Sequence, residues 1–419
     1  MHYVIIGNSI AATAAIEGIR SRDRQGKITV ISEETDHVYG RPLISYWLEK
    51  KISDQQMPYR DPQFYIDHHV EVLLGIKATS VSFDKKIVKL SNKKELAYDK
   101  LLISTGGKPI VPPIPGLTTK NHSCFYNYED VRKLKQLVQA GQHVIVLGGG
   151  LTGLKAAESL HRLGARVSLI ELADRLLGTI MDHDGSVMVA DFIKTQGIEL
   201  YLGNTINQIT PVENNLSNFA LKDGTNLQAQ LLIMAIGVTP RIDFLKDSGL
   251  TINRGILANQ AQNTNLPDVY AAGDVAEVPD LLTGKPVVAP ILPNAFTQGR
   301  IAGINMTGGA ANFEGSLAYN AIGFLGLHTV SMGQSTLEIG AEYEFLKIID
   351  STRQTYRKII LKNNRLIGAL FIGEIGRAGL YQDLLRNQID VSPFKDRLLA
   401  ADFKLLDLPT AVYQSKLAE

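Results

Sequence analysis

A single cysteine, Cys124, in 419 residues leaves no partner for an internal disulfide and too few thiolates for a cysteine-held zinc or iron–sulfur cluster. The formal net charge is +1, so no basic field points to nucleic acid or to an anionic membrane. No apolar run reaches the length of a membrane span, and the first strand begins at His2-Tyr3, which leaves no room for a signal peptide. The expected location is the cytoplasm. Low-complexity tracts and short internal repeats are also missing. What remains, 45% hydrophobic and 20% charged, is an ordinary globular composition at a length that suggests about three domains.

Two stretches stand out. Val4-Ile5-Ile6-Gly7-Asn8-Ser9-Ile10-Ala11-Ala12 and Val144-Ile145-Val146-Leu147-Gly148-Gly149-Gly150-Leu151-Thr152-Gly153 are each an apolar strand, a small-residue turn and a helix-forming run. In such a turn the first glycine permits the tight bend, and the second lets backbone N–H groups approach a pyrophosphate. The third position must be small so that helix packs on strand, and the helix N-terminus adds partial positive charge. Gly148, Gly150 and Gly153 meet the full pattern, and Glu171 ends the following strand, where an acid accepts hydrogen bonds from a ribose. The first stretch is weaker, with Ser9 and Ala12 at the second and third positions and Glu33 as the matching acid. Two such modules in one chain imply two nucleotide cofactors and a hydride passed between them.

The rest of the chain reads as their setting. A buried strand runs into Thr105-Gly106, and Pro109, Pro112, Pro113 and Pro115 form a crossover linker. Leu231-Leu232-Ile233-Met234-Ala235-Ile236-Gly237 and Val269-Tyr270-Ala271-Ala272-Gly273-Asp274 are further buried strands ending in small turns. Alternating runs near 343–350, 355–362 and 365–373 predict antiparallel strands, with Asn363-Asn364 as a hairpin turn. Helices are predicted near 376–388 and 395–407.

With these motifs in order along the whole length, the chain resembles the FAD-dependent pyridine-nucleotide oxidoreductases with two dinucleotide-binding domains. Tyr39-Gly40-Arg41-Pro42-Leu43-Ile44-Ser45-Tyr46-Trp47-Leu48, Tyr356-Arg357-Lys358 and Leu366-Ile367-Gly368-Ala369 are similar to the branch holding NADH:rubredoxin reductases and the flavin portion of assimilatory nitrite reductases. The resemblance implies an α/β fold: an FAD domain at 1–115 and 238–312, an inserted NAD domain at 116–237, and a C-terminal α+β interface domain at 313–419, often used for dimers. It implies that Gly7, Ser9, Ile10, Ala11 and Ala12 face the FAD pyrophosphate. Glu33, with Glu34 beside it, would take the adenosine ribose, and Thr105 and Gly106 would close that pocket. Gly273 and Asp274 would reach the ribityl chain, and Arg41 and Pro42 would flank the flavin ring. Gly148, Gly150, Leu151, Thr152, Gly153, Glu171 and Gly237 would hold NADH, in preference to NADPH.

Two departures matter. Disulfide-reducing members carry cysteine in the 41–48 stretch, and here there is none. Lys155 stands where the family usually has glutamate, either directed at the flavin or as a solvated helix lysine. Other candidates carry less weight: His68-His69 as a metal pair, discounted because adjacent residues on a strand face opposite sides; Asp182-His183-Asp184 as a divalent-ion site, set aside for a polar loop because no further ligands cluster nearby; Tyr46 and Trp47 as flavin neighbours or core; and 395–399 as a surface helix that could dock a partner. No metal site is expected. The function implied is an NADH:acceptor oxidoreductase, with electrons leaving the flavin for a rubredoxin-like or other iron–sulfur protein, or for metal-containing subunits of a complex. An NADH oxidase using dioxygen and a non-catalytic FAD/NADH sensor are the alternatives.

Overall fold

In a computed structural model, which describes residues 1–213, 216–246 and 248–410, the chain divides into two compact units. One joins Met1–Pro109 to Val238–Leu317; the other joins Ile110–Gly237 to the chain from Ala318 onward. In the first unit a five-stranded parallel sheet runs in the order Val269–Ala271, Lys100–Ile103, His2–Ile6, Lys27–Ile31, Val70–Leu73. In the second, the order is Glu199–Leu202, Arg166–Glu171, His143–Leu147, Leu231–Met234, His122–Cys124, again parallel. Each fingerprint strand is therefore central, buried on both faces, which is why it reads as a continuous apolar run and not as an alternation. Val4, Ile5, Val144, Ile145 and Val146 are fully buried.

The helix Ile10–Arg20 packs on Leu292–Met306 almost backbone to backbone. A Cβ on Gly299 would lie 2.1 Å from Ala11 O, and one on Gly303 would lie 2.2 Å from Ala15 O. The glycine spacing in the second helix thus matches the alanine spacing in the first, one turn apart.

The C-terminal sheet is antiparallel, in the order Tyr319–Phe324, Leu327–Gly333, Arg365–Ile372, Thr355–Lys362, Glu344–Asp350. Asn363 and Asn364 have φ of +50° and +56°, the conformation a tight hairpin needs and asparagine tolerates. The helix Ala378–Arg386 covers one face. The helix expected at 395–407 is instead two short 3-10 turns, Ser392–Arg397 and Leu405–Asp407. Phe394, Leu398 and Phe403 are buried, so this segment is a strap whose apolar residues point inward. Its carbonyls are taken by side chains: Leu398 O by Tyr381 at 2.7 Å and Phe403 O by Arg377 at 2.7 Å.

Two other expectations change. His68 and His69 lie at the end of the helix Pro62–Asp67, not on a strand, and His68 Nδ1 sits 2.8 Å from Phe64 O. Asp182 is not in a polar loop. It caps the helix His183–Thr195 by accepting from Gly185 N–H, and it is buried against Lys358 at 2.7 Å and Tyr356 at 2.5 Å. Burial alone would raise the Asp182 carboxyl; the bonds from Lys358, Tyr356 and Gly185 outweigh it and hold it lowered. The pair's contribution is therefore present above the ordinary carboxylate range and lost as pH falls below it. Lys358→Met leaves the carboxylate buried without its cation, and should cost about 3–5 kcal/mol. Chemical denaturation checks this, and an unshifted midpoint contradicts it.

Candidate functional site

In the second unit the glycine turn is built by steric exclusion. Gly148 has φ +115°, and a Cβ there would lie 2.3 Å from Ala235 O; one on Gly153 would lie 1.8 Å from Gly148 O. Gly150 differs: nothing comes within 4 Å of its Cβ position, so its smallness serves open space beside the turn. The helix Leu151–Arg162 starts there with no side-chain cap and no acid in its first turn, so the first N–H groups, those of Leu151 and Thr152 among them, have no intrahelical acceptor. Glu171 closes the strand beside the turn, its carboxylate accepting from Gly149 N–H at 2.5 Å and Ala173 N–H at 2.7 Å. Gly237, φ +114°, ends the strand on the other side, and its carbonyl accepts from Ile110 N–H at 3.0 Å.

The first unit repeats this geometry. Gly7, φ +111°, would clash with Ser104 O at 2.1 Å if it bore a Cβ, and its N–H donates to Ile31 O just as Gly148 N–H donates to Ile170 O, both at 2.8 Å. Ser9 stands at the helix start without spending its side chain on a cap, and Ile10, Ala11 and Ala12 follow, buried. The strand register places Ser32 where the second unit has Glu171, so Glu33 comes one residue later. Glu33 pairs with Arg241 and, at 3.4 Å, with Lys77. Glu34 accepts from Arg41 at 2.8 Å and from Tyr39 at 2.7 Å, which anchors the 3-10 turn Arg41–Leu43 that carries exposed Pro42. Thr105 donates to Arg241 O at 2.9 Å, and Gly106, φ +66°, accepts from Arg241 N–H. Gly273, φ +79°, donates its N–H to Gln298. Beside it, Asp274 is set deep enough that burial raises its carboxyl pKa, opposed by the charge of Arg41.

Lys155 is not a solvated lysine. Its ammonium is 2.5 Å from Glu158 Oε2 and 3.2 Å from Gly323 O, and Glu158 also accepts from Leu325 N–H at 3.0 Å. Burial would raise the Glu158 carboxyl, but the bonds from Lys155 and Leu325 keep it lowered. The two residues tie the nucleotide-site helix to the turn of the hairpin Tyr319–Gly333. Trp47 is buried and donates to Asp54 at 2.8 Å, while Tyr46 is half-buried. Cys124 lies in the edge strand His122–Cys124, where burial pushes its thiol up to about 11.

Asn8 was not singled out by the sequence. Its Oδ1 accepts from Tyr65, while its Nδ2 is buried with no hydrogen-bond partner. An orphan donor, an uncapped helix and the Ser9 hydroxyl converge on one turn, and all three suit an anionic pyrophosphate. The site fits FAD. The second turn, with open space at Gly150 and a fixed carboxylate at Glu171, fits a dinucleotide with free ribose hydroxyls. Among the described residues no group of three or more histidine, cysteine, aspartate or glutamate side chains could hold a metal ion, and no helix is long and apolar enough to cross a membrane.

Comparison with known proteins gives the same picture. Residues 1–299 match the pyridine nucleotide-disulphide oxidoreductase model, and 319–389 match the rubredoxin NAD+ reductase C-terminal domain. The NADH-dependent phenylglyoxylate dehydrogenase subunit epsilon of Aromatoleum evansii is 30% identical over 95% of this chain and 94% of its own. The nitrite reductase [NAD(P)H] of Bacillus subtilis (strain 168) is 28% identical over 93% of this chain, which spans only 48% of that protein. A chain of a covalent putidaredoxin reductase–putidaredoxin complex shares the fold, with TM-score 0.86 at 21% identity over 100% of this chain and 98% of the matched one. The chain belongs to the pyridine nucleotide-disulphide oxidoreductase family, as an FAD- and NADH-dependent oxidoreductase whose single cysteine leaves it without a redox disulfide.

Proposed function

We propose that this chain is a reductase that takes electrons from NADH and delivers them from its flavin to a protein acceptor, a rubredoxin-like or other iron–sulfur protein or a metal-containing subunit of the same complex. The observation that carries the reading is the pair of uncapped glycine turns, each built on the central strand of its own parallel sheet, in a chain with one cysteine. The match of 319–389 to a rubredoxin reductase domain supports an iron–sulfur acceptor, and the subunit relative supports a place in a complex. Homodimer formation through the C-terminal sheet belongs to the same reading, supported by Ile348 and Ile349, exposed on the edge strand Glu344–Asp350. So does a cytoplasmic location, supported by the cysteine count.

When bound, NADH supplies an electron pair that FAD accepts and can pass on singly, chemistry that needs no general base from the protein. The residues position and tune. Gly7, Ser9, Ile10, Ala11 and Ala12 with Asn8 hold the FAD pyrophosphate, Glu33 accepts from its ribose, and Glu34 fixes Arg41 and Pro42 for the ring. Thr105 and Gly106 close the wall. Gly273 brings Asp274 to the ribityl hydroxyls. Gly148, Gly150, Leu151, Thr152 and Gly153 hold the NADH pyrophosphate, Glu171 its ribose, and Gly237 the opposite rim. Lys155 acts as a positioning residue through Glu158.

Anaerobic mixing with NADH should bleach the flavin absorbance rapidly, with little oxygen uptake in air. Slow, incomplete bleaching would favour a sensor, and fast stoichiometric oxygen uptake an oxidase; either result overturns the reading.

Asp274→Ala should purify largely without flavin. Hydrogen bonds to a charged group contribute roughly 1.5–3 kcal/mol, equivalent to ~10- to 150-fold in affinity, and full flavin content would contradict the role.

Gly150→Val and Gly148→Ala should separate folding from binding. The first enters open space and should keep the parent's melting temperature while abolishing NAD⁺ binding. The second is strained in backbone and space, and should lower the melting temperature. Calorimetry and thermal melts check both; NAD⁺ binding retained in Gly150→Val contradicts the site.

A further inference from the structure

The loop after Glu171 is folded back on the glycine turn. Ala173 N–H donates to Glu171, Leu177 N–H donates to Gly149 O at 2.9 Å, and Leu176 and Leu177 are buried. Leu177 holds φ +53° to make this return. Within 171–184 the one lysine or arginine is Arg175, so this is the cation the loop could offer to a charge on the ribose. Arg175 is already engaged. Its Nη1 lies 3.3 Å from Glu338 Oε1, and the same oxygen accepts from His183 N–H at 2.8 Å. Glu338 comes from the chain after the C-terminal strand Leu327–Gly333, three residues past Ser335, whose hydroxyl donates to Ile180 O at 2.8 Å. Lys347 adds a bond to Asp184. The whole 175–184 segment is thus held by residues far along the sequence.

We propose that Glu338 is a specificity-determining residue: by neutralising Arg175 it withholds the countercharge that a 2′-phosphate would need. The proposal rests on the reading that the 148–171 module takes NADH. Discrimination against NADPH then has two parts. Glu171 repels the phosphate directly, and Glu338 disarms the nearby guanidinium. Neither part acts on NADH, whose 2′-position is an uncharged hydroxyl. The side chains of Arg175 and Glu338 are 31% and 40% exposed, so solvent screens the pair and the effect is moderate.

The test is calorimetric binding of NAD⁺ and NADP⁺ to the flavin-loaded protein, in the parent, Glu338→Gln, Arg175→Gln and the double variant. Glutamine keeps an acceptor for His183 N–H and removes only the charge. Glu338→Gln should tighten NADP⁺ about fivefold and leave NAD⁺ within about twofold. The gain should vanish in the double variant and shrink at high salt. Unchanged NADP⁺ affinity in Glu338→Gln, or a gain that survives loss of Arg175, overturns the proposal while the nucleotide site stands. NAD⁺ binding unaffected by Gly150→Val overturns the site reading itself, and with it the proposal.

Discussion

A Cβ at Gly7 would lie 2.1 Å from the Ser104 carbonyl oxygen, and one at Gly148 would lie 2.3 Å from that of Ala235. At both points the chain leaves a central strand and passes a neighbouring backbone at a distance that no side chain survives. From this crossing follow the uncapped helix N-terminus, the exposed N–H groups and the concave edge of the sheet, where α/β proteins hold their ligands. Within each sheet the strands run parallel, so in the first unit the strand ends leading to Thr105 and Asp274 lie on the same side as the Gly7 turn, and in the second those leading to Glu171 and Gly237 lie on the same side as the Gly148 turn.

Ion pairs then fix what the sheets leave loose. In the first unit Glu34 holds Arg41, and Arg241 holds Glu33. In the second, Lys155 and Glu158 fasten the nucleotide-site helix to the 323–325 turn, while Asp182 and Lys358 fasten the next helix to the C-terminal sheet. The buried pairs are the costly ones to break, since removing one partner strands a charge in a low-dielectric interior. The exposed pairs contribute less to stability, and their value is in holding loops in one place.

Much of this was legible in the sequence because it depends on local rules. Glycine spacing, strand-end acids, buried apolar runs and the Asn363-Asn364 turn each follow from backbone geometry within a few residues. What was not legible depends on partners distant in sequence. Asp182 reads as one of three polar loop residues until Lys358 and Tyr356 arrive from a strand about 175 positions on. The 395–407 segment has helical periodicity, yet Pro393 and the inward pull of Phe394 and Phe403 turn it into a strap. Lys155 shows a visible partner at the i+3 position, Glu158, a signal that i,i+3 pairing offers in any helix. Gly299 and Gly303 likewise carry the spacing for close helix packing, but only the alanines at 11 and 15 give it a meaning.

The central claim is that one chain holds two nucleotides at once on two separate turns. Its most direct measurement is stoichiometry: extraction of flavin from the purified protein, and calorimetric titration of the same flavin-loaded protein with NAD⁺. The account predicts one FAD and one NAD⁺ per chain, with FAD retained throughout. Release of FAD by NAD⁺, or NAD⁺ binding only to flavin-free protein, would show one shared site and contradict it.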